Sequence, residues 1–174
     1  MTLPQLSIPA PRAGGAPIDL IADGVAAETT SVLQRARAQA AANPLPYAGD
    51  LRPEEAWQLL SSGRARLIDV RTPEERKFVG YVPDSLPVPW ATGTGLIRNP
   101  RFLRELEGKS RKDEVLLFFC RSGARSRLAA EAATRAQFAH AFNVLEGFEG
   151  ELDPEQHRGR TGGWRFHGLP WIQD

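Results

Sequence analysis

The chain contains a single cysteine, and the residues around it are those of a reactive thiol. Cys120 follows the apolar run "VLLFF" and begins the segment "CRSGARS", which contributes two arginines and a glycine. Thiolate is the nucleophilic form of cysteine, and cationic neighbours and a helix N-terminus both favour it. Arg121 and Arg125 are such cationic neighbours, and the spacing of apolar residues after the loop predicts a helix that begins there. The sequence therefore predicts that Cys120 is a nucleophile.

The loop that begins at Cys120 has the composition of an anion cradle. Gly123 permits a tight turn, and the backbone N–H groups of such a turn can converge on one point. The predicted substrate-binding set consists of Arg121, Ser122, Gly123, Ala124, Arg125 and Ser126. We also predict Ser126 to be the N-cap of the next helix. The structural alternative is a small core cysteine at a strand end, but a core thiol needs no cationic neighbours.

Strand and helix patterns alternate around this loop. The strand patterns are "ARLIDV", "SLPVPW", "EVLLFF" and "AFNVLEG", and the helix patterns are "RPEEAWQLLSSG", "TPEERKFVG", "NPRFLRELEG" and "SRLAAEAATRAQF". Thr72 and Glu75 have the spacing of a capping box, and Asn99 is predicted to cap the third of these helices. The alternation predicts a three-layer α/β domain, with a small, mostly parallel β-sheet flanked by helices on both faces. Ligands bind such sheets at the carboxyl ends of the strands, where Cys120 falls.

Composition limits the other functions open to the chain. It has 174 residues, 41% of them apolar, which is sufficient for one hydrophobic core. Its 22 basic residues are interspersed with 21 acidic ones, so the sequence predicts no basic surface for nucleic acid. One cysteine excludes an internal disulfide or a cysteine-based metal cluster. The N-terminus has no secretory pattern and no apolar stretch is of membrane length, so we expect a cytoplasmic protein without membrane partners. Residues 1–46 are predicted as an extension, with a flexible arm and a helix at 25–42, and residues 47–174 as the compact domain.

Two segments together resemble the single-domain rhodanese-like sulfurtransferases. They are "CRSGARS" and the upstream "LIDVRTPEERKFVGYVPDS", and the resemblance extends over about residues 51–171. It implies a small parallel sheet with helices on both sides and no cofactor. It also implies that the loop cysteine, here Cys120, takes a sulfane sulfur from a donor such as thiosulfate. The resulting persulfide then passes the sulfur to a thiol, cyanide or a partner protein.

The resemblance extends to residues outside the loop. Asp69 and Arg71 match the family's D-x-R segment, and we expect them to pair with each other or with the cysteine loop and so to support the site. Gly147 and Trp164 match a glycine after the last strand and a tryptophan near the end of the domain. The sequence "GYVPDS" departs from the family's frequent Gly-His-Ile-Pro-Gly-Ala run, so no histidine role carries over. Residues 148–163 are predicted to form a loop over the mouth of the cysteine site.

Two other functions remain open at this point. A non-catalytic or partner-dependent sulfur carrier would have the same motifs. Related phosphatases, and arsenate reductases with them, place five residues between cysteine and arginine, whereas four separate Cys120 from Arg125, so the shorter cradle favours sulfur transfer. With one cysteine the persulfide cannot be resolved as an intrachain disulfide, which requires an external acceptor. His140, His157 and His167 lack the spacing of metal ligands, and no metal is predicted.

Overall fold

A five-stranded parallel sheet forms the centre of the structure, a computed structural model that describes residues 18–173. The strand order is β1-β7-β6-β2-β3. The strands are Gly49–Leu51 (β1), Arg66–Asp69 (β2), Leu86–Pro87 (β3), Val115–Phe119 (β6) and His140–Val144 (β7). Ala91–Thr92 (β4) and Ile97–Arg98 (β5) form a separate antiparallel pair that the sequence patterns did not predict.

Helices cover both faces of this sheet. They are Ile18–Ala42 (α1), Pro53–Ser61 (α2), Pro73–Val79 (α3), Phe102–Glu107 (α4) and Ala124–Arg135 (α5). Adjacent strand residues point to opposite faces, so Phe118 packs with α4 and α5 whereas Phe119 packs with α1 and α2. The predicted three-layer α/β fold with a parallel sheet is therefore confirmed.

Helix α1 is longer than the predicted helix at 25–42 because it begins at Ile18. Its Leu33 and Ala36 are buried in the same core cluster as Phe119, so the helix packs on the domain. The predicted flexible arm falls mostly on residues 1–17, which lie outside the described residues. No helix among residues 18–173 has both the length and the apolar character needed to cross a lipid bilayer.

Two predicted helix caps were wrong. Gly123 is the N-cap of α5 and has φ 95°, a left-handed conformation that costs glycine little, so the chain turns there and the helix begins at once. Ser126 is therefore the third residue of the helix. Helix α4 begins only at Phe102, because the Asn99 side chain caps the preceding turn by accepting the Arg101 N–H at 2.9 Å.

The end of the chain is joined to the segment after α3. Tyr81 and Ile172 exchange two backbone hydrogen bonds, with N–O distances of 2.8 and 2.9 Å. Trp164 is fully buried, and its indole N–H donates to the Pro170 carbonyl at 2.9 Å. Trp164, Leu169 and Trp171 of this C-terminal segment, residues 162–173, pack in the same core cluster as α1 and α2, so the segment covers that face of the sheet.

Candidate active site

Cys120 follows β6 directly, at the edge where the parallel strands end. The residue is 1% exposed. Its Sγ accepts a hydrogen bond from the Gly123 N–H at 3.1 Å and lies 3.3 Å from Ser126 Oγ. An amide and a hydroxyl can both donate to an anionic sulfur.

The first turn of α5 lies directly beyond this sulfur. Because the helix begins at Ala124, the amides of Ala124, Arg125 and Ser126 belong to the turn whose N–H groups have no acceptor within a helix. These amides and the helix dipole give the loop a positive end suited to an anion. Arg121 Nε is buried and has no hydrogen-bond partner within the described part of the chain.

Arg125 is held in place by Glu75, a residue that sequence analysis had assigned only to a helix cap. Arg125 Nη1 and Nη2 donate to the two Glu75 oxygens at 2.7 and 2.5 Å. Burial raises the pKa of Glu75, but the hydrogen bonds from Arg125 and from the Thr72 N–H, together with the Arg125 charge, bring it below its ordinary value. Burial lowers the pKa of Arg125, but the hydrogen bond and charge of Glu75 and the charge of Cys120 raise it above its ordinary value. The guanidinium is therefore fixed and charged near the sulfur.

The predicted capping box exists and positions this carboxylate. Thr72 Oγ1 accepts the Glu75 N–H at 3.2 Å, and Glu75 Oε2 accepts the Thr72 N–H at 2.9 Å. The first turn of α3 therefore fixes Glu75 before it meets Arg125. Two helices that follow neighbouring strands are tied together at the mouth of the site.

Asp69 and Arg71 pair with each other, which was one of the two predicted arrangements. Arg71 Nε and Nη2 donate to the two Asp69 oxygens at 3.0 and 2.7 Å, and both side chains are fully buried. Arg76 Nη1 adds a third contact to Asp69 at 2.5 Å. The Arg71 guanidinium lies 4.2 Å from the centre of the Phe148 ring, and the Phe148 N–H donates to the Cys120 carbonyl at 2.8 Å. Phe148 thus contacts both Arg71 and the cysteine loop, and a supporting role of the pair stays a prediction.

Gly147 brings the chain after β7 against the cysteine loop. Its φ is 61°, and a Cβ at this position would lie 2.6 Å from the Arg121 carbonyl carbon. The next two amides, of Phe148 and Glu149, donate to the carbonyls of Cys120 and Arg121 at 2.8 and 2.9 Å. Residues 148–163 thus begin on the loop itself, and their role over its mouth stays a prediction.

Residues 148–163 contain a cluster of side chains of the types that bind cations. Ligand atoms of Asp153, Glu155 and His157 lie within 4.8 Å of one another. Arg160 Nη1 lies 2.9 Å from Glu155 and 3.5 Å from Asp153, so both carboxylates already have a guanidinium as partner.

A second polar contact of the site, which the sequence patterns did not predict, involves Asn143. This residue is 2% exposed in β7, and its Oδ1 lies 2.7 Å from Ser126 Oγ. Its Nδ2 donates to Asp50 Oδ1 at 2.8 Å. The signal was a single amide side chain within the apolar strand pattern "AFNV".

Fold and site together define an α/β protein with a cysteine loop at the carboxyl edge of a parallel sheet. Residues 52–151 match the Rhodanese-like domain, which is more than half of the chain. The chain therefore belongs to the rhodanese-like family, as its two motifs had indicated.

Individual relatives support this assignment. The human thiosulfate:glutathione sulfurtransferase is 34% identical over 105 residues, which are 58% of this chain and 90% of the human protein. The senescence-associated protein DIN1 of Raphanus sativus is 33% identical over 107 residues, or 58% of this chain. The chain spans only 57% of that radish protein. The crystal structure of Rv0390 from M. tuberculosis is 47% identical with a TM-score of 0.68, and the match covers 74% of this chain and 99% of that one.

Proposed function

We propose that the protein is a sulfurtransferase that moves a sulfane sulfur from a donor such as thiosulfate to a thiophilic acceptor. The observation that carries the proposal is the Cys120 sulfur, which accepts the Gly123 N–H at the start of α5 beside the charged Arg125. Membership of the rhodanese-like family supports it, and so does the name of the human relative.

The first half-reaction needs a nucleophile and an anion cradle. The Cys120 thiolate attacks the outer sulfur of thiosulfate, and the sulfur–sulfur bond of the donor breaks. Sulfite leaves with the electron pair of that bond, and the single charge of the thiolate passes to the outer sulfur of the new persulfide. Arg121 and the amides of Ser122–Ser126 bind the anionic donor and then the persulfide. Arg125 contributes its charge from the ion pair with Glu75.

The second half-reaction needs an acceptor from outside the chain. Cys120 is the only cysteine, so no second thiol of this chain can displace the sulfur. The thiolate of the acceptor attacks the outer sulfur, and the bond between that sulfur and Cys120 Sγ breaks. Cys120 leaves with the electron pair of this bond as a thiolate, and the acceptor becomes the persulfide. The human relative is named for glutathione, and we propose a small thiol of this kind as the acceptor. A cytoplasmic location, where such thiols are reduced, is part of the proposal.

Intact mass spectrometry tests the first half-reaction directly. The purified protein is incubated with thiosulfate and weighed, then treated with cyanide while thiocyanate is assayed. We expect a gain of one sulfur atom that cyanide removes, and no gain in Cys120→Ser. Sulfur loading of a folded Cys120→Ser protein, or an unmodified wild-type thiol, would contradict the proposal.

A partner-dependent sulfur carrier is the second candidate. Cys120 is 1% exposed, so a donor must first uncover the sulfur, and the docking of a partner protein could supply the free energy for this. A carrier would stay unloaded in thiosulfate but accept sulfur from a persulfidated protein. The same mass measurement, with a persulfidated cysteine desulfurase as donor, separates the two functions.

A further inference from the structure

The Ser126 hydroxyl has three neighbours that can accept its single hydrogen. They are Asn143 Oδ1 at 2.7 Å, the Gly123 carbonyl at 3.0 Å and Cys120 Sγ at 3.3 Å. Ser126 itself is fully buried. Only one acceptor can receive the hydrogen at a time. The choice of acceptor therefore determines whether Cys120 Sγ receives a hydrogen bond from this hydroxyl in addition to the one from the Gly123 N–H.

The orientation of the Asn143 amide is fixed from its other side. Asp50 pairs with Asn143 across β1 and β7, and its Oδ1 accepts from Asn143 Nδ2 at 2.8 Å and from the Tyr47 hydroxyl at 3.1 Å. A carboxylate only accepts, so the amide nitrogen must face Asp50 and the amide oxygen must face Ser126. Burial, followed by the charge and hydrogen bond of Asp50, raises the pKa of Tyr47, which keeps that hydroxyl a donor.

This orientation sets Asn143 in competition with the sulfur for one hydrogen. When Cys120 is a thiolate, donation to Sγ leaves the buried Asn143 Oδ1 without its short partner, and an unsatisfied buried acceptor is costly. When the sulfur is loaded, the negative charge is on the outer sulfur, and the inner Sγ is a neutral, weak acceptor. The hydroxyl can then donate to Asn143 at no loss to the sulfur.

We propose that Asp50 and Asn143 are positioning residues that direct the Ser126 hydroxyl away from Cys120 Sγ and so stabilise the persulfide relative to the free thiolate. The inference rests on the proposed function, because it concerns the persulfide of the same cysteine. Other charged groups near the loop are Arg121, Arg125 with Glu75, and Arg71 with Asp69. A cavity beside Gly123 and Asn143 is also lined by Arg127, Glu146 and Glu151. All of these groups remain unchanged in the variants below.

Asn143→Leu removes the competing acceptor with little change in volume. The Ser126 hydrogen is then free for the thiolate, so alkylation of Cys120 by iodoacetamide should move to lower pH. The equilibrium fraction of persulfide at fixed thiosulfate and sulfite should fall, by about three- to tenfold in the loading constant. Asp50→Asn lets the amide turn over and should shift both quantities in the same direction.

A double-mutant cycle separates this role from a purely structural one. In a Ser126→Ala background no hydroxyl remains, and Asn143→Leu should then change neither the alkylation profile nor the loading constant. Asn99→Leu is the matched control, a second buried asparagine whose amide contacts are backbone groups of Pro89 and Arg101. It should lower stability without moving either quantity.

The alkylation profile requires no sulfur transfer, so it tests the orientation of the hydroxyl even if wild-type protein fails to load from thiosulfate. An unchanged profile in Asn143→Leu, or a change that persists in the Ser126→Ala background, would overturn the inference. If Asn143→Leu does not fold, the profile of Asp50→Asn decides in the same way.

Discussion

Glu75 and Arg125 form a two-bond ion pair that joins the first turn of α3 to the first turn of α5. Both side chains are less than one-fifth exposed, at 18% and 15%. The pair therefore fixes a guanidinium beside the cysteine loop, and it depends on a carboxylate that a helix cap has already positioned.

Glu75→Gln should weaken this link while it preserves the shape of the side chain. Hydrogen bonds to charged groups contribute about 1.5–3 kcal/mol, so we expect the free energy of unfolding in urea to fall by about that amount. Sulfur loading should also slow, because Arg125 is no longer held. Glu74→Gln is the control, since it removes the same charge from an exposed neighbour in the same turn. Equal effects of the two substitutions would count against the assigned role of the pair.

The stability of the protein should fall in acid for the same reason. Burial raises the pKa of Glu75, but the Arg125 and Thr72 bonds and the Arg125 charge bring it below its ordinary value. Burial likewise raises the pKa of Glu146, but the hydrogen bonds from the Gly163 N–H and from His167, together with the His167 charge, bring it below its ordinary value. Because both native pKa values are lowered, the unfolded chain binds these protons before the folded protein does as the pH falls. The contribution of the two carboxylates to the free energy of unfolding is therefore present above about pH 4.3 and is lost as the pH falls through their native pKa values.

Urea titrations between pH 7 and pH 3 measure this loss. In Glu75→Gln the decline below about pH 4.3 should be shallower than in the wild type, because one depressed carboxylate is missing. A parallel decline in both proteins would show that Glu75 does not contribute to it.

Strand, loop and helix around Cys120 could be read from the sequence because each leaves a local pattern. The apolar run "VLLFF", the glycine of the loop and the alanine-rich helix are all contiguous. The capping box at Thr72 was visible for the same reason. The second role of Glu75 was not, since Arg125 lies 50 residues away and only the sheet brings them together. Ser126 was misassigned because a serine before an apolar helix usually caps it, whereas Gly123 turned the chain earlier.

Gly147→Ala should disturb the cysteine loop without direct contact to a substrate. The added Cβ would lie 2.6 Å from the Arg121 carbonyl carbon, so the loop or the strand end must move. Gly63→Ala is the matched control, since its φ of +70° is also left-handed but nothing lies within 4 Å of the new Cβ. Both variants should lose about 1–2 kcal/mol from backbone strain. Only Gly147→Ala should reduce the rate of sulfur loading measured by mass spectrometry, and equal loading in the two would exclude a role of this contact.

Asp69→Asn should be the most destabilising of these substitutions. It leaves the fully buried Arg71 guanidinium without its carboxylate, and breaking a buried pair in this way costs about 3–5 kcal/mol. Arg76→Met removes a partly exposed partner and leaves Asp69 paired with Arg71, so its cost should be smaller. Combining Asp69→Leu with Arg71→Met should recover part of the loss, because the fully buried guanidinium is removed together with its carboxylate and only the partly exposed Arg76 loses a partner. Urea unfolding of the three proteins measures the order, and Arg76→Met as costly as Asp69→Asn would contradict it.

The backbone bridge between Tyr81 and Ile172 also bears on how the protein folds. Tyr81 and Ile172 are far apart along the chain, so forming this contact carries an entropic cost of loop closure. We therefore expect the bridge to form only after the sheet has brought the two segments together. The same C-terminal segment carries Trp164, whose backbone N–H donates to the Gly147 carbonyl at 2.8 Å, and Gly147 lies against the cysteine loop. During refolding, the sheet can therefore form while this support of the cysteine loop is still incomplete. Recovery of sulfur loading should then lag behind recovery of the sheet, which makes competence at Cys120 a late product of folding.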